Sequence, residues 1–267
     1  MLRTERDGPW WVLWLDAPAS RNALTDEMVS GLRQALADAA QDPTVRAVLL
    51  RGAGGTFCAG GDFSRFRSLM AEPAPAQGPD PIAVFNRAFG AMLELLANSP
   101  VLTLACVEGA AMGGGCGLAA ACDVVLATDT AVLATPEVTL GLPPAQIAPF
   151  VAARLGERQA LRLMASGQRV NAAEALRIGL VDEVLPPADM AAALSAWQER
   201  LRRAEPQALR ATKAILARRR QGAGLADTLD FAAEAFARSL RSGTASEGLA
   251  ALGAKRAPAW ATPKDMP

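Results

Sequence analysis

Cys58-Ala59-Gly60-Gly61-Asp62 and Gly113-Gly114-Gly115-Cys116-Gly117 are the stretches on which the reading of this chain turns, the second running on through Leu118-Ala119-Ala120-Ala121-Cys122-Asp123. Each follows an aliphatic run, Val48-Leu49-Leu50 before the first and Val101-Leu102-Thr103-Leu104 before the second, and each leads into a predicted helix. Glycine lets a backbone turn sharply and come close to a ligand. The first N–H groups of a helix that starts there have no intrahelical acceptor. Two such turns side by side aim two N–H donors at one oxygen, the geometry of an oxyanion hole. Taken by spacing alone, they read equally as two tight strand–helix turns of an α/β protein.

Working outward, the composition narrows the chemistry. A chain of 267 residues, 51% hydrophobic with 23 glycines and 18 prolines, reads as a globular protein with one large domain or a domain and an appendage. Lys plus Arg and Asp plus Glu are 27 each, so no net field draws nucleic acid or an anionic membrane, and neither is expected as a partner. The longest charge-free apolar stretch, 109–122, is too short and too glycine-rich to span a bilayer. The four cysteines, Cys58, Cys106, Cys116 and Cys122, show neither a Cys-x-x-Cys pair nor zinc spacing. With no leader read at the start, they point to a reducing cytoplasm. Histidine and tyrosine are both absent. Ser-His-Asp and Cys-His mechanisms, a histidine metal site and tyrosine acid catalysis are therefore excluded. Any general acid or base is a carboxylate, lysine, cysteine or water.

The hydrophobic pattern predicts strands over 10–15, 47–50, 101–107, 124–127, 132–134 and 181–185. Helices are predicted from Thr25, which serves as an N-cap, over 82–97, and from the Asn171 cap to Gly179. Glu72 to Pro81 breaks regular structure and reads either as a surface loop over a ligand entrance or as a passive linker. Beyond Ala188 the pattern becomes purely helical, over 188–203, 206–219, 225–240 and 246–254. The expected organisation is an α/β core over 1–187 and a C-terminal helical region over 188–267.

The run Ala59-Gly60-Gly61-Asp62-Phe63, then Glu108 to Asp123, then Thr135-Pro136-Glu137-Val138-Thr139-Leu140-Gly141-Leu142-Pro143-Pro144, resembles the enoyl-CoA hydratase/isomerase (crotonase) family. Order and spacing match from Asn22-Ala23-Leu24 to the terminal Lys255-Arg256-Ala257-Pro258-Ala259-Trp260. The resemblance implies an α/β fold, a crotonase-like spiral of β-β-α units with a C-terminal all-helical oligomerisation region. It also implies a trimer or dimer of trimers. By the same resemblance the backbone N–H groups of Gly61 and Gly114 hold the thioester oxygen of an acyl-CoA. Ala59 and its neighbours line the CoA adenine pocket, and Arg21 and Lys255 stand where the family often places bases near CoA phosphates, Lys255 either from the same subunit or from a neighbouring one. Arg21 reads equally as an exposed charge, Lys255 less so. CoA is part of the substrate, and no metal or redox cofactor is implied.

At the acids the chain departs from the family. Two-acid hydratases carry one glutamate two residues after the glycine triplet and another in a downstream Pro-Glu pair. The second is present as Glu137, whereas the first position is Gly117. Asp123 falls where the family has a structural aspartate. Glu137 is thus the one candidate acid/base, and three readings stay open: hydration, Δ3,Δ2-enoyl-CoA isomerisation, and acyl-CoA binding without turnover. The segment Pro136 to Val151 resembles the branch acting on 3-substituted glutaconyl-CoA esters, which also has glycine at this position, and this favours hydration. Phe57, Phe63, Phe66 and Met70 suit core packing or an acyl-pocket wall, with core packing preferred.

Overall fold

Along Trp10–Leu15 the side chains at 13 and 15 enter one apolar cluster, and those at 10 and 12 a second. The same alternation sends Val48 and Leu50 one way and Ala47 and Leu49 the other, then Ala105 and Val107 against Leu104 and Cys106. Strands apolar on both faces belong in a sheet covered on both sides, and that is what they build.

The computed structural model describes residues 1–73 and 75–261. Ala74, within the expected 72–81 loop, and 262–267, the end of the expected 188–267 region, lie outside the described residues. The strands are β1 (Leu2–Asp7), β2 (Trp10–Leu15), β3 (Ala47–Gly52), β4 (Leu102–Val107), β5 (Ala110–Met112), β6 (Val124–Thr128), β7 (Val132–Ala134), β8 (Arg169–Asn171) and β9 (Glu183–Leu185). The helices are α1 (Asp26–Gln41), α2 (Phe63–Ala71), α3 (Pro81–Ala97), α4 (Gly114–Ala121), α5 (Ala148–Leu155), α6 (Glu157–Ser166), α7 (Ala172–Arg177), α8 (Met190–Arg203), α9 (Pro206–Arg220), α10 (Leu225–Arg241) and α11 (Thr244–Gly253).

A six-stranded sheet has the order β1-β2-β3-β4-β6-β9, parallel except for the β1–β2 hairpin. A second sheet has the order β5-β7-β8. Cys58 bridges Ala111 in parallel, which adds the first glycine turn to the edge of that sheet. The core therefore repeats a unit in which one strand lies in the large sheet (β3, β4, β6) and the next in the small one (Cys58, β5, β7). Helix follows the second strand of the first two units, α2 and α4. This spiral sets the two glycine turns at neighbouring places.

The expected caps hold. The Thr25 hydroxyl accepts from the Met28 N–H at 3.2 Å, and Asn171 Oδ1 from the Glu174 N–H at 2.9 Å. Five elements escape the sequence reading: β1, the short strands β5 and β8, and the helices α5 and α6. β1 carries Arg3, Glu5, Arg6 and Asp7 on an exposed edge, so it has no apolar period and is held by pairing with β2. α5 and α6 lie in a stretch punctuated by Pro149 and Gly156, where proline occupies the first turn of α5 and Gly156 (φ +76°) joins the two. α8 packs Met190 and Leu201 on the second face of the large sheet. Arg46, at the entry to β3, donates to the Leu201 and Arg202 carbonyls and ties that helix down. Among the described residues no helix is long and apolar enough to cross a membrane.

Candidate active site

Cys58, paired with β5, starts the first turn. The Ala59 N–H donates to the Arg21 carbonyl at 2.9 Å, and the Gly60 N–H to Cys58 Sγ at 3.4 Å. Gly60 sits at φ +101°, which side chains rarely adopt, and its carbonyl accepts from the Leu24 N–H at 2.8 Å. Asn22 is fully buried and braces the turn. Its Oδ1 accepts from the Ala17 N–H at 2.9 Å, and its Nδ2 donates to the Ala53 and Thr56 carbonyls at 2.8 and 2.6 Å. Asn22 marked the start of the sequence resemblance, but nothing local announced this role, because its partners are up to 35 residues away. Asp62 caps α2 by accepting from the Ser64 N–H at 2.9 Å.

At the second turn Gly113 has φ +52° and donates to the Ala134 carbonyl at 2.8 Å, which locks the turn to β7. The turns are packed on each other: a Cβ on Gly60 would stand 3.0 Å from the Met112 carbonyl oxygen and 3.8 Å from the Gly114 nitrogen. Neither the Gly61 nor the Gly114 N–H has an acceptor among the described residues, and Gly114 is the first residue of α4. Phe66 lies over Gly61, and Leu24 and Phe89 lie against Gly114, at 2.6, 2.8 and 3.3 Å from a Cβ placed there. Bulk at Gly114 thus meets protein side chains as well as any ligand.

Glu137 opens a short 3-10 turn, Glu137–Leu140, directly after Pro136. Its Oε1 lies 2.9 Å from where a Gly113 Cβ would be, so glycine admits the carboxyl to the second turn. Its Oε2 is buried without a hydrogen-bond partner. Burial raises the Glu137 pKa above its ordinary 4.5, opposed in part by a hydrogen bond to its own backbone.

Gly117 is buried on α4, and a Cβ there would overlap Ile147 Cγ2 and stand 2.7 Å from Ile147 Cβ. Ile147, at the start of α5, thus fills the space that a side chain at Gly117 would enter. Asp123 points elsewhere: its Oδ2 accepts from the Thr103 N–H (2.8 Å) and Oγ1 (2.9 Å) and pairs with Lys213 of α9. It is a structural aspartate, as the resemblance implied. Lys213 also donates to the Val101 carbonyl at 2.8 Å. All four cysteines are free, and burial pushes each thiol up to about 12, so none serves as a nucleophile at neutral pH.

The other sequence candidates divide. Arg21 follows a 3-10 turn at φ +53° and reaches the first turn through its carbonyl, with its side chain exposed. Lys255 lies beyond α11, exposed, with no hydrogen bond or ion pair to either glycine turn. Phe57 is core, as preferred. Phe63 and Met70 are exposed, against the core expectation, because only one face of α2 meets the protein, and Phe66 is the residue that packs over Gly61. Two surface hollows, at the α5–α6 junction and between α1 and α3, share no lining residue with the turns.

Two free N–H donors at abutting turns, with one desolvated carboxyl beside them, form an arrangement that can polarise a carbonyl and move a proton next to it. Comparisons narrow that chemistry. A family model described as enoyl-CoA hydratase/isomerase matches residues 11–263. The short-chain-enoyl-CoA hydratase of Clostridium acetobutylicum is 32% identical over 234 residues, 87% of this chain and 86% of that protein. Among solved structures, an enoyl-CoA hydratase/isomerase from Marinobacter aquaeolei superposes with a TM-score of 0.93 at 41% identity, covering 98% of this chain and 99% of that one. Pseudomonas aeruginosa AtuE superposes with a TM-score of 0.92 at 42% identity, with the same coverage. The chain belongs to the enoyl-CoA hydratase/isomerase family, and its fold is the crotonase fold.

Proposed function

We propose that this protein is an enoyl-CoA hydratase that adds water across the 2,3 double bond of an acyl-CoA thioester, with a 3-substituted glutaconyl-CoA as substrate. The observation that carries the reading is the position of Glu137: Oε1 against Gly113 and Oε2 buried and unpartnered, beside the free Gly114 N–H.

In this reading the Gly61 and Gly114 N–H groups hold the thioester oxygen. As the double-bond electron pair shifts towards the carbonyl, negative charge grows on that oxygen, and each donor lowers the barrier by on the order of 3 kcal/mol. Burial raises the Glu137 pKa above its ordinary 4.5, which favours the protonated form that acts as the acid. Its proton passes to Cα, the water oxygen bonds to Cβ, and the water proton returns to the other Glu137 oxygen. One carboxyl serves both transfers and ends as it began, so no metal or redox cofactor is required. The substrate's own carboxylate, two bonds from Cβ, orients the water in place of the glutamate that Gly117 lacks. Ala59 and Arg21 serve the CoA, Lys255 reaches it from a neighbouring subunit, and the helices of the 188–267 region assemble a trimer or dimer of trimers. A cytoplasmic setting accords with the free thiols.

The test is turnover of crotonyl-CoA and 3-methylglutaconyl-CoA, followed by loss of enoyl thioester absorbance in water labelled with heavy oxygen. Hydration of the glutaconyl ester, lost in Glu137→Gln, is expected. Product without label incorporation would replace hydration with double-bond isomerisation. Tight binding without turnover would leave a binder.

A further inference from the structure

We propose that Asn86 and Gln146 form a subsite for a carboxylate on the acyl group, beside the second glycine turn. Asn86 lies on α3 one turn before Phe89, whose ring touches Gly114, and Asn86 and Phe89 share a helix face. Gln146 directly precedes Ile147, the side chain that stands over Gly117. The two amides are half-buried and joined, with Gln146 Nε2 donating to Asn86 Oδ1 at 2.9 Å. The pair therefore bridges the two elements that flank α4 beyond the free Gly114 N–H.

The helix is shaped to admit it. Gly90, one turn after Asn86, is a glycine in the interior of α3, a position that costs about 1 kcal/mol relative to alanine. A Cβ there would overlap Gln146 Oε1 and stand 2.7 Å from Gln146 Cδ, so the gap left by glycine holds the Gln146 side chain.

The hydrogen-bond inventory selects the ligand. Both N–H groups of Asn86 Nδ2 and the second N–H of Gln146 Nε2 have no acceptor among the described residues. A wall for a plain alkyl tail gains nothing from half-buried amide donors left unpaired. A carboxylate is acceptor-only and has two oxygens, which match two donor nitrogens. Arg87, next to Asn86, is exposed and engaged with Glu94, so it is not the partner. The subsite is neutral and reads the carboxylate by hydrogen bonds, which leaves the Glu137 proton unperturbed by a nearby fixed cation.

The inference rests on the acyl-CoA reading above, and its test is separable from catalysis. Glutaryl-CoA and butyryl-CoA, saturated and unable to react, are titrated against the full chain by calorimetry. The wild-type protein is expected to prefer glutaryl-CoA by about tenfold or more, the scale of hydrogen bonds to a charged group. Asn86→Ala and Gln146→Leu, on different elements, are each expected to bring that ratio near one. A wild-type ratio near one, or a ratio that survives in both variants, overturns the subsite. A preserved preference in a protein that fails to hydrate either enoyl ester would sink the reaction and leave the subsite standing.

Discussion

Gly117→Ala tests whether Ile147 closes the space over Gly117. A methyl at 117 overlaps Ile147 Cγ2 and stands 2.7 Å from Ile147 Cβ, where carbon atoms settle near 3.5–4 Å. Ile147 must move by about 1 Å, and it is 3% exposed, so it cannot swing into solvent. Overpacking of this kind costs about 1–3 kcal/mol. Alanine recovers up to about 1 kcal/mol of helix propensity in α4. The net expectation is a loss of about 1–2 kcal/mol, a melting temperature lower by about 2–8 °C for a chain of this size. Gly117→Glu adds a carboxyl buried without a partner and should lose several kcal/mol more. Ile147→Ala opens the space that the glutamate needs. The double variant Gly117→Glu/Ile147→Ala should therefore be more stable than Gly117→Glu by about 1 kcal/mol or more, a coupling between side chains in contact. Thermal and urea denaturation at fixed protein concentration measure the parent and the four variants. Gly117→Ala as stable as the parent, or an Ile147→Ala background that gives no relief, would refute the claim that isoleucine closes the space over Gly117.

Two further predictions concern charge. Glu137 gives up a proton in the proposed step, so kcat/KM should fall as pH rises through its pKa, which burial holds above 4.5; a pH profile unaffected by that ionisation would remove it as the acid. Its folded pKa lies above the unfolded one, so its favourable contribution is complete below pH 4.5 and is lost as pH rises through the folded value. Glu137→Gln should accordingly gain in urea midpoint over the parent with rising pH across that window, and an offset constant with pH would argue against burial as the cause. Lys213→Met leaves Asp123 facing Thr103 without its cation and should cost about 3 kcal/mol in urea unfolding. A loss below about 1 kcal/mol would show that this pair is not what binds α9 to the start of β4.

Local chemistry in the sequence was enough to place much of this fold. The alternation along 10–15 and 47–50, the Thr25 and Asn171 caps and the two glycine turns are set by neighbours within a few residues, where steric and hydrogen-bonding rules act directly. The helices after 188 are legible for the same reason, within a turn or so at their ends. The charged β1 was not legible, because an edge strand owes its conformation to the partner it pairs with.

At the site the division falls between residue type and neighbourhood. With no histidine or tyrosine, the sequence limited any acid or base to a carboxylate, lysine, cysteine or water, and the family resemblance pointed to Glu137 and to the backbone donors of Gly61 and Gly114 as candidates. Only the tertiary structure decided that the turns abut, that Ile147 closes the space over Gly117, that Gln146 fills the gap at Gly90, and that Asp123 belongs to Lys213 ninety residues away. These are contacts between elements far apart in the chain. They depend on how helices stack around the spiral, and no local pattern of residues carries that information.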